Sequence, residues 1–164
     1  MGSAYWVDNI AYVIGTAINN TNPPYGTQNL PGSGRTAVIE MWGYHYGPTL
    51  ADRRYGLEHS NPVGGLGSIT SEQYIYILER TRNVWTFIPA GLPHDLIDFN
   101  QSIGGFENSS ILNDVIGGFS QADIFHQLDA TILSPSDIKI PLVGIAPSGV
   151  TSEQINLLFG NYSY

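Results

Sequence analysis

The spacing of apolar residues along the chain predicts four short helices. Within residues 4–18 the apolar positions recur every three or four residues, as expected for one face of a helix. These positions are Trp6, Ile10, Val13 and Ala17. Comparable spacing, with serine or threonine placed to cap the start, predicts further helices at 109–117, 120–129 and 151–159.

Residues 36–46, with the sequence TAVIEMWGYHY, have the composition of a β-strand. β-branched and aromatic residues, which favour strands, are frequent in this run. The alternation of side chains along a strand would place four large residues on one face. These four are Val38, Trp42, Tyr44 and Tyr46.

Two further strands are predicted at 84–88 and 137–145. The first, VWTFI, is short and strongly apolar, and the second, DIKIPLVGI, alternates in polarity. Pro141 indicates an edge position for the second strand, because proline cannot donate to a sheet ladder. Strands and helices interleave along the chain, so the pattern predicts an α+β fold with short elements and long Gly/Pro-rich loops.

The tetrapeptide Thr-Ser-Glu-Gln occurs twice, at 70–73 and at 151–154. A threonine followed three residues later by glutamine has the spacing of a capping box, in which each side chain bonds the other residue's backbone amide. We predict a helix start at 151–154, whereas the YIYIL run after 70–73 fits a strand equally well. Internal duplication is the alternative, since His45 and His126 each lie 28 residues before the corresponding glutamine.

The length of 164 residues and the apolar content of 42% predict a single compact domain over residues 1–164. Residues 19–34 contain three prolines and three glycines, which predicts a long loop or arm. We expect no signal peptide, because no basic segment precedes the first apolar stretch. No run is long and apolar enough to insert into a membrane. A virion or an extracellular assembly is the favoured location.

The net charge of −8 is unevenly distributed. Residues 83–164 carry eight acids against Lys139 alone. An acidic body argues against direct nucleic-acid binding, which requires clustered lysine and arginine. Four arginines fall close together in the middle of the chain and are candidate interface residues, with pairing to neighbouring acids as the alternative. They are Arg53, Arg54, Arg80 and Arg82.

No pattern in the chain indicates a catalytic residue, a metal site or a cofactor. There is no cysteine, and the spacing of the four histidines fits no metal-ligand motif. His59 and His94 each stand beside carboxylates in sequence, but adjacent residues do not form a ready catalytic dyad. A toxin-type or hydrolytic enzyme using one of these histidines with a carboxylate is therefore only a third alternative.

Aromatic residues are the strongest functional signal. Five lie in or beside segments rich in Asn, Gln and Gly, where tyrosine and tryptophan provide rigid amphipathic contact area. These candidate binding residues are Tyr25, Trp42, Tyr44, Tyr46 and Tyr55. With only 12% charged residues, the surface is poorly protected against association. We predict a non-catalytic structural subunit, such as a virion, phage tail or filament component, that contacts copies of itself or neighbouring structural proteins. A glycan-binding module is the alternative.

Overall fold

The computed structural model describes residues 3–19, 25–55, 87–97 and 116–164. The two long helices are α1 (Ser3–Ile18) and α2 (Ser33–Tyr55). The shorter elements are α3 (Leu92–Asp95), α4 (Gln121–Gln127), a 3₁₀ helix (Pro135–Ile138), α5 (Lys139–Gly144) and α6 (Ser152–Asn161). Of the described residues, 62% are helical and none is in a strand, so the predicted α+β fold is wrong and the described part of the chain is helical.

Helix α1 packs on α2 through a polar face. Four of its residues, spaced so as to share one side of the helix, have side chains that make hydrogen bonds. They are Tyr5, Asn9, Tyr12 and Thr16. The Tyr5 hydroxyl donates to the carbonyl of Ile132 at 2.9 Å. These bonds satisfy polar groups that burial alone would penalise, so a hydrogen-bonded face can point inward.

The predicted strand at 36–46 is part of α2. Its fully buried residues follow helical rather than alternating spacing, because Ala37, Val38 and Met41 all face the core. His45, at 4% exposed, extends the same face by one more turn. The strand prediction relied on the β-branched and aromatic composition of this segment. It is wrong because burial against other elements outweighs the small differences in intrinsic secondary-structure propensity.

The predicted strand at 137–145 is also helical. A strand would bury Ile138, Ile140 and Leu142 together, yet Ile140 is 83% exposed. Ile138 and Leu142, four residues apart, are both buried, as in a helix. Ser134 starts this segment by accepting a hydrogen bond from the amide of Ser136, and Pro135 stands at the first helical position, where proline is well tolerated.

The remaining predicted elements have mixed outcomes. The helices at 4–18, 120–129 and 151–159 are confirmed, with small differences at their ends. For the strand at 84–88, residues 84–86 lie outside the described residues, and residues 87 and 88 belong to irregular chain. For the helix at 109–117, residues 109–115 lie outside the described residues, and residues 116 and 117 are irregular.

A single cluster of buried apolar residues joins the described elements. It draws side chains from every helix except α1, and its largest fully buried members include Phe119, Phe159 and Tyr162. The C-terminal residues are anchored to the 87–97 segment by two hydrogen bonds. The Tyr162 hydroxyl donates to buried Asp95 at 2.5 Å, and the Tyr164 hydroxyl donates to the Phe87 carbonyl at 2.5 Å. The core therefore depends on contacts between residues far apart in sequence.

The second Thr-Ser-Glu-Gln segment is a capping box at the start of α6. The Thr151 hydroxyl accepts from the Gln154 amide at 3.2 Å, and the Gln154 side chain accepts from the Thr151 amide at 2.8 Å. The prediction of a helix start at this position is thus confirmed. Ser120 and Asp123 form an equivalent box at the start of α4. The first copy, at 70–73, lies outside the described residues, so the alternative of internal duplication is not tested.

We expect the substitution Thr151→Ala to lower the free energy of unfolding by about 1 kcal/mol, because it removes the hydroxyl that accepts from the amide of Gln154. Thr151→Ser keeps that hydroxyl and should lower the free energy of unfolding by only a few tenths of a kcal/mol. Urea unfolding of both variants measures the difference. Equal decreases in the free energy of unfolding in the two variants would show that the Thr151 hydroxyl does not stabilise the start of α6.

Candidate functional sites: an aromatic cleft and an apolar helix face

An aromatic cleft lies between α2 and α4. Its lining consists of Trp42, Tyr46, Gln121, Ala122 and Phe125, around a cavity of about 300 Å³. Trp42 stacks on Tyr46 with ring centroids 5.5 Å apart and planes 13° from parallel, and its centroid lies 5.6 Å from that of Phe125. Tyr46 is 37% exposed and Phe125 is 54% exposed, so aromatic surface remains accessible to solvent at this cleft.

His45 lies behind Trp42, within hydrogen-bonding distance of the cleft. The amide nitrogen of Gln121 is 3.3 Å from the Nε2 atom of His45. Burial, together with the nearby His94, lowers the pKa of His45 to about 4, so its imidazole is neutral near pH 7. With Gln121 as donor, the neutral ring accepts at Nε2 and carries its proton on Nδ1.

His94 lies further from the cleft, at the centre of the short helix α3. Its ring centroid is 6.0 Å from that of His45. Burial lowers the pKa of His94 to about 4 as well, so the two histidines form an uncharged pair. The neighbouring Asp95 is buried and accepts from Tyr162. The arrangement links the inner wall of the cleft to the core.

A second aromatic group surrounds Glu40. The side chain of Tyr25 hydrogen-bonds both Glu40 and Tyr44. Burial raises the pKa of the Glu40 carboxyl, while the hydrogen bond from Tyr25 opposes that rise. The carbonyl of Tyr25 accepts from the Tyr12 hydroxyl at 2.5 Å, which ties the segment before α2 to α1. This group is an internal network that holds the connection between the two long helices.

The outer face of α1 is apolar and exposed. Its five large exposed side chains lie on the side of the helix opposite the hydrogen-bonded one. They are Trp6 (45% exposed), Val7 (62%), Ile10 (54%), Ile14 (52%) and Ile18 (76%). Asp8 is the single charged residue of α1, and it pairs with Arg35 at 2.7 Å. A contiguous apolar surface of this kind marks an interaction site more often than isolated exposed residues do.

The predicted aromatic residues separate into different places. Trp42 and Tyr46 line the cleft, whereas Tyr25 and Tyr44 belong to the network around Glu40. The side chain of Tyr55 lies outside the described part of the chain, as do those of Arg53 and Arg54 in the last turn of α2. Arg80 and Arg82 also lie outside the described residues, so the arginine interface stays a prediction.

Sequence reasoning missed the partners that complete the cleft. Gln121 and Phe125 come from α4, which was predicted as a helix but not as part of a site. His45 entered the sequence analysis through the spacing of the histidines and the duplication alternative, and not as part of a binding site. The spacing of Trp42 and Tyr46, four residues apart, places them on one face of a helix. This helical spacing is present in the sequence, but the strand predicted for 36–46 gave it a different meaning.

No group of three metal-ligating side chains occurs among the residues that the structure describes. Within the same residues, no helix is long and apolar enough to cross a membrane. Both findings concern the described ranges alone.

Comparison with known proteins gives no match to a protein-family model, to a curated protein or to a solved structure. The functional argument therefore rests on the geometry of this chain.

Proposed function

We propose that the protein is a non-catalytic structural subunit that associates with further copies of itself through the outer face of α1. The observation that carries this proposal is the reversed polarity of that helix. Asn9 and Thr16 are buried at 7% and 5% exposure, while Ile14, between them in sequence, is 52% exposed. A helix on the surface of a monomer usually buries its apolar side and exposes its polar side.

The polar contacts of α1 explain why this orientation is stable. The Thr36 hydroxyl donates to the Asn9 side chain at 2.7 Å, and Arg35 stacks over the Tyr5 ring at 4.9 Å. These interactions fix which side of α1 faces α2, because turning the helix around would leave buried polar groups without partners. The apolar side is thereby held outward, where burying it against another surface is favourable.

A second copy is a suitable occupant because the one carboxylate of α1, Asp8, is paired with Arg35. Two chains with a net charge of −8 repel each other wherever their carboxylates approach. The described exposed acids outside α1 lie from α4 to α6, and they are Asp123, Asp129, Asp137 and Glu153, whereas the only acid of α1 is paired with arginine. Contact through α1 therefore brings no unpaired carboxylate of that helix against its counterpart.

The spacing of the exposed residues fits another helix. Val7, Ile10, Ile14 and Ala17 follow intervals of three, four and three, the pattern by which helices interlock along a shared seam. The 16-residue helix is about 24 Å long. A pair of such helices buries less than the ~800 Å² per partner of a standard interface, so we expect association in the micromolar range or repeated contacts within a larger assembly.

A membrane surface is a poorer fit for this face. Amphipathic helices that lie on membranes carry lysine or arginine beside their apolar side, and α1 has neither. The acidic net charge also disfavours anionic lipids. A virion, phage tail or filament is the kind of assembly in which such a subunit would serve, and its location in one of these is part of the proposal.

Oligomeric state in solution tests the proposal. Light scattering over a range of concentrations should show a mass that rises with concentration. The double variant Ile10→Gln, Ile14→Gln should associate at least tenfold more weakly, because it places two amides in the seam. Ile140→Gln is the matched control, since Ile140 is 83% exposed on α5, and it should behave like the unmodified protein.

Cysteine cross-linking locates the contact independently, because the chain contains no cysteine of its own. In a two-fold interface the same face meets itself, so Ile10→Cys should form a disulfide-linked dimer under mild oxidation, and Ile140→Cys should form far less. A protein that remains a monodisperse monomer at high concentration, with no preferential Ile10→Cys dimer, would rule out the proposal.

The sequence also predicts two alternative functions, a glycan-binding module and a toxin-type or hydrolytic enzyme. The glycan-binding alternative gains a specific observation in the aromatic cleft, and its consequence is developed below. The toxin-type or hydrolytic alternative remains a prediction from the sequence, because His59 lies outside the described residues and the ring near His94 is that of His45.

A further inference from the structure

The cleft between α2 and α4 combines aromatic walls with an uncharged lining. Trp42 contacts rings on two sides, Tyr46 and Phe125, and both of these keep substantial exposed surface. Exposed aromatic area in a concave site favours a ligand with flat, weakly polar faces. The cavity of about 300 Å³ lies at the lower end of the range for small-molecule sites and suits a single ring-sized group.

The polar groups of the cleft are neutral. Gln121 provides an amide, with two N–H donors and a carbonyl acceptor, and one of those donors is directed at His45. His45 is itself uncharged near pH 7, because burial lowers its pKa. The five lining residues include no aspartate, glutamate, lysine, arginine or histidine. Such a lining selects a neutral ligand that offers hydroxyl groups.

From this geometry we propose that the cleft binds one neutral pyranose ring of a glycan. The apolar C–H face of the sugar packs on Phe125 and Trp42, and its hydroxyls exchange hydrogen bonds with the amide of Gln121. The bond between Gln121 and His45 holds the amide in place. This inference is independent of association through α1, since no lining residue belongs to that helix.

Two other ligand classes fit the observations less well. A quaternary ammonium ion binds where several rings surround an open space, but here Trp42 and Tyr46 lie nearly parallel and stack on each other. An anionic ligand requires a cationic or strongly donating site, and the lining offers no lysine or arginine. The uncharged sugar ring is the class that matches both the aromatic and the amide parts of the cleft.

Titration with defined saccharides tests the proposal. The probes are the methyl glycosides of glucose, galactose and mannose, N-acetylglucosamine, and their common disaccharides, each followed by protein NMR into the millimolar range typical of single-sugar sites. We expect saturable shifts for at least one probe. Phe125→Ala and Gln121→Leu should each weaken binding about tenfold, through the lost aromatic face and the lost amide respectively.

Leu157→Ala provides the matched control. Leu157 is 59% exposed on α6, close to the 54% of Phe125, and it does not line the cleft. Its loss should leave saccharide binding unchanged. Because Phe125 is an exposed side chain, its variant is expected to fold, and light scattering on the same sample measures association through α1 separately.

Three results would overturn the proposal. The first is the absence of saturable shifts with every saccharide. The second is saccharide binding that Phe125→Ala and Gln121→Leu leave intact, which would place the site elsewhere. The third is binding of choline chloride at this cleft without binding of any saccharide, which would identify a cation site instead.

Discussion

Lowering the pH from 7 to 5 is expected to remove about 2 kcal/mol of folding stability for each of two histidines, the buried His45 and the partly buried His94, and a drop to pH 4 about 3 kcal/mol each. Both imidazoles have a pKa of about 4 in the folded protein, against an ordinary histidine value of 6.5. Small domains are stabilised by only about 5–15 kcal/mol in total, so this loss is a large fraction of the whole.

The direction follows from proton binding. Between about pH 4 and pH 6.5 the unfolded chain binds protons at these two positions that the folded chain does not, so the free energy of unfolding falls as the pH falls through that window. Above pH 6.5 the contribution of the two neutral imidazoles to the free energy of unfolding is fully present. Glu40 acts in the opposite direction, because burial raises its pKa and the folded protein takes up that proton more readily.

Urea unfolding at several values between pH 7.5 and pH 4.5 measures the effect. His45→Gln should flatten the pH dependence by roughly half, since it removes one of the two imidazoles whose pKa is lowered. His126→Gln changes an exposed histidine on α4 and should leave the dependence intact. An unfolding free energy that stays constant from pH 7 to pH 5 in the unmodified protein would contradict the burial of this pair.

The second large effect is expected at Phe159. This side chain is fully buried in α6, at 0% exposure, and belongs to the main apolar cluster. Phe159→Ala should lower the free energy of unfolding by about 3–5 kcal/mol, because it removes a large buried ring and leaves a cavity that the surrounding chain fills only in part. Lys139, whose ammonium lies 5.8 Å from the ring centroid, would also lose this contact.

Leu157→Ala is the matched control for this substitution as well. It lies in the same helix, and leucine and alanine have similar helix propensities, but its side chain is 59% exposed. The control should therefore cost less than about 0.5 kcal/mol. Comparable losses for Phe159→Ala and Leu157→Ala in thermal or urea unfolding would show that α6 does not pack against the core as described.

Several local features of the fold were accessible from the amino-acid order. The helices at 4–18, 120–129 and 151–159 were predicted correctly because their signals act over three or four residues. The capping box at Thr151 is of this kind, since a hydroxyl and an amide three residues apart meet as soon as one helical turn forms.

The candidate cleft was accessible only in part. Trp42 and Tyr46 were identified as binding aromatics, but the strand assigned to 36–46 gave them the wrong neighbours. Gln121 lies 76 residues from His45 along the chain, and nothing in either local sequence indicates that they meet. The clustering of uncharged polar groups with exposed rings appeared only when α4 was placed against α2.

Tertiary packing also decided which faces are buried. Residues 36–46 and 137–145 have strand-like composition, yet both are helical because their buried residues contact distant elements. The apolar face predicted for α1 is largely the exposed one, since Tyr5 bonds the carbonyl of Ile132, 127 residues away. Amino-acid order therefore determined where α4 and α6 begin, through the short-range hydrogen bonds of their capping boxes. Which side of each helix faces the core depended on long-range contacts that no short stretch of sequence contains.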